Sequence, residues 1–344
     1  MTGLGIKLKY MKAIIPVAGS GTHLRPLTHT QPKCLLPLAG KPILGHIIDY
    51  LGDSGIDEMI FIVGHLSQKI EKFLDEFLYD RKIKYKTIYQ NPGQGLGHAI
   101  LLASEYFKDE KEVIVHLGDS IIRTSPEFFS KENTHSMICL KKVSVPGNFG
   151  ICEVSSDGFI RKMVEKPKVP KSNYAIVGLY RIQEIPLFIE SLQNEFDSKN
   201  GKDEAQLTDA LQYMLQKGSK IKMIKTDRWF DCSRKTSLLE ANRMLMNVGE
   251  LPENYNSIYS KTIIIPPVVI GKNCHIENAI IGPNVVVGHN SEIYGAIIKE
   301  SILGNKTEIR NTVIEESIIG NDSTFYGSNL KLNLGDNTDI DLTS

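Results

Sequence analysis

Apolar residues along the chain follow two different patterns that meet near residue 250. In the first, short apolar runs alternate with stretches of helical spacing. The run from Ala13 to Ala18 predicts an opening strand. From Pro42 to Leu51, the residues Ile43, Leu44, Ile47, Ile48 and Leu51 share one helical face, and Gly52 and Gly55 end it. Glu58 to Val63 predicts a short strand. Ile70, Phe73, Leu74, Phe77 and Leu78 repeat at helical spacing behind Ser67, a suitable N-cap residue. Lys82 to Tyr89 predicts a strand, His98 to Phe107 a helix and Val113 to Leu117 a buried strand. This rhythm implies a mostly parallel sheet covered on both faces. Ser136 to Tyr180 loses the rhythm and is strand-rich. Helices are expected at Gln183 to Phe196 and Ala205 to Lys217, a strand at Lys220 to Thr226, and an amphipathic helix at Thr236 to Met246.

A polar stretch, Gly249 to Lys261, reads as a linker. After it aliphatics recur six apart: Ile270 and Ile276; Ile281, Val287 and Ile293; Leu303 and Ile309; Ile319 and Phe325; Leu334 and Ile340. Gly271, Gly282, Gly288, Gly304, Gly320 and Gly335 each follow an aliphatic, and Asn273, Asn284, Asn305 and Asn321 suit corners. A six-residue period with one inward aliphatic per turn predicts a parallel β-helix. Antiparallel hairpins would show alternation and paired turns instead. The tail resembles the left-handed hexapeptide-repeat helix. The expected fold is α/β: a Rossmann-like mixed sheet over residues 11–248, then a short left-handed parallel β-helix over residues 262–344.

A length of 344 residues supports two domains. Lys plus Arg and Asp plus Glu balance at 40 each, which argues against a broad nucleic-acid surface and makes any anion site local. Cys34, Cys139, Cys152, Cys232 and Cys274 are scattered and lack CxxC pairing. They read as reduced thiols of a cytoplasmic protein, neither disulfides nor zinc ligands. The opening MTGLGIKLKY has no apolar core long enough for a signal peptide, and no run approaches membrane-spanning length. Residues before Met11 are expected to be an extension ahead of the first strand.

The chemistry concentrates between Lys12 and Leu44. The first strand breaks into Gly19-Ser20-Gly21-Thr22, a turn that can point backbone N–H groups at an anion. Arg25, Lys33 and Lys41 follow, and Pro26, Pro32 and Pro37 keep the stretch out of regular helix. That inventory suits a polyphosphate. A Rossmann fingerprint would need glycine where Leu24 stands, and no P-loop sequence is present. The whole string closely resembles the signature of sugar-1-phosphate nucleotidyltransferases, G-x-G-T-R-L-x-P-L-T-x-x-x-P-K-x-L-x-P-x-x-G-K-P. One position departs: His23 stands where that family has arginine.

The resemblance assigns roles that composition and spacing do not. Lys33 would bear on the α-phosphate in the transition state, with Arg25 a second phosphate contact. Ala18, Gly19, Ser20, Gly21 and Thr22 would wrap the triphosphate beside His23. Asp119, after an apolar strand in Leu-Gly-Asp, and Asp231, in Trp-Phe-Asp, would hold Mg²⁺, whose octahedron substrate phosphates and waters complete. Taken alone, Asp119 is a turn residue and Asp231 an ordinary polar residue before a helix. The Gly-rich segment containing Gln90 and Gly95 matches the base-recognition loop, in a form associated with uridylyl and thymidylyl donors. Gly150, Glu165, Lys166, Asn173 and Gly178 match the sugar-1-phosphate pocket, although an exposed Glu–Lys pair is usually a solvated surface. Thr208 reads as a helix cap. Ser233 replaces a glycine two residues after the second metal aspartate.

The implied reaction is nucleotidyl transfer from a pyrimidine nucleoside triphosphate, dTTP or UTP, to a sugar 1-phosphate such as glucose 1-phosphate. Positioning and charge neutralisation are its main demands. The alternative is a catalytically weak homologue that binds sugar nucleotide as a sensor or regulatory subunit. A third reading adds acetyl transfer in the tail through His275 or His289, against which stands an oligomerisation and packing role, hence a homo-oligomer. Neither a nucleic acid nor a membrane is an expected partner.

Overall fold

A computed structural model describes residues 11–130, 132–246, 259 and 261–327. The stretch before Met11, most of the 249–261 linker, and Leu334, Gly335 and Ile340 lie outside the described residues. The chain divides into two compact units, the first running to Ala241 and the second starting at Asn242.

Four parallel strands form one side of the sheet of the first unit, in the order Val113–His116, Lys12–Pro16, Glu58–Val63, Lys84–Tyr89. Ile14 lies opposite Ile60 and Val115. On that face Ile14, Ile60, Ile62 and Val115 pack with Ile100, Phe188 and Leu211 from three helices: Gly95–Leu102, Ile185–Lys199 and Leu207–Gln216. The alternate positions Ala13, Ile15 and Phe61 are equally buried on the other face, which explains why these strands are continuous apolar runs.

Beyond Val113–His116 the sheet turns antiparallel. Tyr174–Ile182 pairs with it, followed by Gly150–Val154 and Ile160–Glu165. Ser136–Lys142 also pairs with Tyr174–Ile182, and Ile221–Lys225 joins it in parallel. The nine-stranded sheet is therefore mixed, as expected, and the parallel rhythm read from the first part of the chain holds for the four strands that run out to one edge.

Several element boundaries shift by a few residues from those expected. The first long helix is Ile43–Asp53, so Gly52 lies inside it. Ser67 is the first residue of helix Ser67–Leu78 and makes no capping bond; Leu66, with φ 58°, occupies the cap. Here Ser67 N–H closes a tight turn onto Gly64 O. The helix expected from His98 to Phe107 is two, Gly95–Leu102 and Ser104–Phe107, interrupted at Ala103.

The second unit winds three four-stranded parallel sheets, the three sides of a β-helix. Ile264, Ile281, Ile298 and Ile314 stack on one side, and Ile276, Ile293, Ile309 and Phe325 on another. Corners are tied by side chains that accept the N–H of the preceding coil. Asn305 Oδ1 takes His289 N–H and Asn321 Oδ1 takes Asn305 N–H, both at 2.8 Å. His289 belongs to this ladder: its Nδ1 accepts from Lys272 N at 2.7 Å. All five cysteines are free thiols. Among the described residues no helix is long and apolar enough to cross a membrane.

Candidate active site

The loop after the first strand folds as three single turns of 3₁₀ helix, Thr22–Leu24, Leu27–His29 and Lys33–Leu35. Prolines between them block α-helix, as expected. Gly21 has φ +64° and faces Thr28; a Cβ there would sit 2.8 Å from the threonine methyl. Thr28 Oγ1 also donates to Gly21 O at 2.7 Å, so the first turn is clamped onto the second. Buried Leu24 anchors the turn, while Gly19, Ser20, Thr22, His23 and Arg25 are exposed and Ala18 is half-buried. Among the described residues, neither the His23 nor the Arg25 side chain makes a hydrogen bond or an ion pair. The loop is thus fixed from beneath and free above, as an anion cradle requires.

Lys33 points from the third turn to the end of the sheet, where its Nζ donates to Asp119 Oδ2 at 2.7 Å. Lys41 is used otherwise. A two-strand hairpin, Pro37–Leu38 with Lys41–Pro42, turns it back onto Asp49 of the first helix, which Arg81 also pairs. Lys41 is a staple, and the loop's free cationic inventory is smaller than its composition suggested.

Asp119 lies just past the carboxyl end of strand Val113–His116, where ligands of open α/β sheets gather. Burial alone would raise its carboxyl, but the charge and hydrogen bond of Lys33 outweigh this and hold it below the ordinary range. Asp231 arrives from more than a hundred residues away. It ends strand Arg228–Asp231, which pairs antiparallel with Ser120–Arg123 and sets Asp231 opposite Ser120. Cys232 N–H donates to Asp119 O at 2.9 Å, locking the two aspartates as neighbours. Ser233 does not disturb this arrangement. Its N–H donates to Asp231 Oδ1 at 2.9 Å and its Oγ–H to Oδ2 at 2.7 Å, and its backbone lies outside the left-handed region that would demand glycine.

This donor set fits Mg²⁺. Both groups are hard carboxylates, and among the described residues no cluster of three or more His, Cys, Asp or Glu offers an all-protein cage. Phosphate and water oxygens must supply the remaining positions, as Mg²⁺ prefers.

The residues expected at a sugar-phosphate pocket lie on or beside three neighbouring strands, Gly150–Val154, Ile160–Glu165 and Tyr174–Ile182. Gly150 and Glu165 are directly opposed in register. A Cβ on Gly150 would come within 3.0 Å of Glu165 Oε2 and 2.9 Å of Thr208 Oγ1. Thr208 is not a cap: helix Leu207–Gln216 has Gln206 in the cap position with no side-chain capping bond. Thr208 Oγ1 instead donates to Glu165 Oε2 at 2.7 Å, because it sits one residue inside the helix and faces the sheet. Lys166 Nζ is 3.7 Å from Glu165 Oε1, and its side chain is 65% exposed, free to meet a ligand. Gly178 lies against Leu117, whose N–H donates to Gly178 O at 2.8 Å. Asn173 is exposed and gives its carbonyl to Val143 N–H.

Two residues to which sequence reasoning gave no role connect the turn before Gly150 with the strand that carries Asp231. Phe149 and Trp229 meet edge to face at 5.3 Å, and Trp229 Nε1–H reaches Ser120 Oγ at 3.4 Å. The available signal was that the chain's one tryptophan stands two residues before Asp231.

The Gly-rich loop is interlocked with the segment before Thr208. Ala205 N–H donates to Gln94 O at 3.1 Å and Gly97 N–H to Ala205 O at 2.8 Å. Gln90 is only 7% exposed, and its Nε2 donates to Gly95 O at 2.8 Å. Its amide nitrogen therefore shapes the loop from inside. His98 packs its ring on Phe196 at 4.6 Å.

A family model described as nucleotidyl transferase matches residues 12–248. A glucose-1-phosphate thymidylyltransferase of Streptomyces antibioticus is 32% identical over 279 residues, which is 78% of this chain and 75% of that protein. A bifunctional protein GlmU of Methanocaldococcus jannaschii is 37% identical over 251 residues, 71% of this chain but 58% of that protein. The crystal structure of a UDP-glucose pyrophosphorylase complexed with UDP-glucose superposes with a TM-score of 0.60 at 24% identity, covering 69% of this chain and 98% of that one, a likeness of fold.

Proposed function

The chain belongs to the nucleotidyl transferase family, and from that premise we propose that it transfers a nucleotidyl group from dTTP or UTP to a sugar 1-phosphate, glucose 1-phosphate first among candidates. The observation that carries this reading is the placement of Lys33 against Asp119, beside Asp231, under an exposed anion loop. A phosphate oxygen of the sugar phosphate attacks the α-phosphorus, and the bond to pyrophosphate breaks. The attacking monoester is already an anion, so no protein nucleophile is required. Lys33 neutralises charge that grows on the α-phosphate oxygens, which is the larger part of such catalysis. Ala18, Gly19, Ser20, Gly21 and Thr22, with His23 and Arg25, hold the β- and γ-phosphates. Gln90 and Gly95 shape the loop that meets the base. Glu165, set by Thr208, accepts sugar hydroxyl hydrogens; Lys166 meets the sugar's phosphate, and Gly150, Asn173 and Gly178 border the ring. Mg²⁺ held by Asp119 and Asp231 supplies further neutralisation of phosphate charge when bound.

The pyrimidine preference is supported by the Gly-Leu-Gly-His-Ala loop and by the thymidylyl and UDP-glucose names of the similar proteins. Residues 11–248 are assigned as the catalytic domain and residues 262–344 as a β-helix for assembly into a homo-oligomer, acting in the cytoplasm. The test is pyrophosphate release with Mg²⁺ across five nucleoside triphosphates and a panel of sugar 1-phosphates. Fastest release is expected with dTTP or UTP and glucose 1-phosphate. No release with any pair, together with calorimetric binding of a nucleotide sugar, would replace the enzyme by the binding-only homologue.

A further inference from the structure

We propose that Lys33 holds the place of the divalent cation at Asp119 until a triphosphate draws it away, so that metal and nucleotide binding are coupled through one ammonium group. The inference rests on the assignment of Asp119 and Asp231 as the metal-binding pair.

Lys33 Nζ is 2.7 Å from Asp119 Oδ2, a direct charge-assisted hydrogen bond on an atom a metal would use. The lysine side chain is 14% exposed and the aspartate 40%, so the pair sits at the site's floor with the carboxylate still reachable from above. The backbone of Lys33 is fixed between Pro32 and the buried Cys34 and Leu35, whereas its four-carbon stem is free to swing. Asp231 is occupied differently, by neutral donors from Ser233 that orient it and add no charge. With no ligand bound, the three groups sum to one formal negative charge. A dication arriving alone must displace or approach an ammonium that shares its oxygen, and like charges at such separation repel strongly where water is partly excluded.

A triphosphate reverses the balance. Its α-phosphate offers oxygens both to the lysine and to the metal, so Lys33 moves from carboxylate to phosphate and leaves Asp119 to the dication. Each ligand then favours the arrangement the other needs, and the coupling is reciprocal. Lys33 thus has two tasks: it keeps the carboxylate pair from taking up metal without substrate, and it meets the α-phosphate when substrate arrives.

The test uses the full chain and Mn²⁺ alone, with free Mn²⁺ read by electron paramagnetic resonance. Wild type should bind weakly. Lys33→Met and Lys33→Gln, which keep the stem and drop the charge, should each bind Mn²⁺ at least tenfold more tightly. Lys33→Arg, which keeps the charge, should not. Adding Asp119→Asn to Lys33→Met should abolish the gain. Met and Gln variants that melt like wild type yet bind Mn²⁺ no better would overturn the proposal, as would a gain that survives Asp119→Asn. Pyrophosphate release by the wild type separates the two levels: turnover without the Mn²⁺ effect removes the hand-over and leaves the function, and no turnover with any substrate pair removes the function.

Discussion

Replacing Thr208 by valine isolates one hydrogen bond in the proposed sugar-phosphate pocket. The two side chains have nearly the same shape, and the buried Thr208 hydroxyl has one partner in view, Glu165 Oε2 at 2.7 Å. A hydrogen bond to a charged group is worth about 1.5–3 kcal/mol. Glu165 is half-buried, so water can recover part of the loss, and the lower bound of about 1.5 kcal/mol is the better guide. That loss divides between the fold, which contains the bond, and the ligand complex, which needs Glu165 oriented. An even division gives about 0.75 kcal/mol to each, hence a three- to fourfold rise in KM for the sugar phosphate, since about 1.4 kcal/mol is tenfold. The folding share lowers Tm by roughly 2–3 °C for a domain of this size. KM for the triphosphate should not move, because Thr208 faces Glu165 and not the loop after the first strand. The assay is steady-state pyrophosphate release with each substrate varied, alongside a thermal melt. A lower Tm with both KM values unchanged would show that Thr208 only packs the helix, and the positioning argument would fail. A rise confined to the triphosphate KM would refute the assignment of this pocket to the sugar phosphate.

Three other outcomes are expected. His23→Arg adds a guanidinium fork on an exposed turn, and a net gain near 1.4 kcal/mol would raise kcat about tenfold; an unchanged kcat in a pre-steady-state and steady-state comparison would place His23 away from the triphosphate. Burial pushes the His116 imidazole down to about 4; its Nδ1–H donates to Leu117 O, and its Nε2 is without a partner among the described residues. The unfolded chain binds a proton near pH 6.5 that the fold refuses, so this residue's share of stability, roughly 3 kcal/mol in all, drains away as pH falls from about 6.5 to about 4. Denaturant titrations of wild type and His116→Phe between pH 7.5 and 4.5 should differ in slope over that window, and parallel curves would discard the argument. Finally, a chain ending near residue 249 should remain a folded α/β domain of altered oligomeric size by light scattering, because Ile281, Ile293, Ile298 and Ile309 belong to a core of the β-helix itself. An insoluble fragment would mean that the two cores are not independent.

Local features were legible from the chain because their causes are local. Strand Glu58–Val63 falls where the apolar run puts it, since both faces of that strand are covered. The prolines around Lys33 forbid α-helix whatever surrounds them, and 3₁₀ turns result. The hexad of aliphatics yields the β-helix because each coil buries its residue against the next copy of the same pattern. The tertiary structure decided the rest, by giving side chains and strands partners that periodicity does not name. Periodicity marks a strand without naming its neighbour, so the expected mixed sheet came without the knowledge of which strands pair antiparallel. Thr208 looked like a cap until the sheet set it against Glu165, 43 residues earlier. Lys41 looked like a phosphate contact until a hairpin turned it onto Asp49. Gln90 looked available to a base until burial gave its amide nitrogen to Gly95. Asp119 and Asp231 became neighbours only when strand pairing and the Cys232 N–H bond joined their segments. Backbone preference acts over a few residues and is carried by the sequence there. Side-chain pairing across a sheet depends on strand order, which the folded chain alone defines.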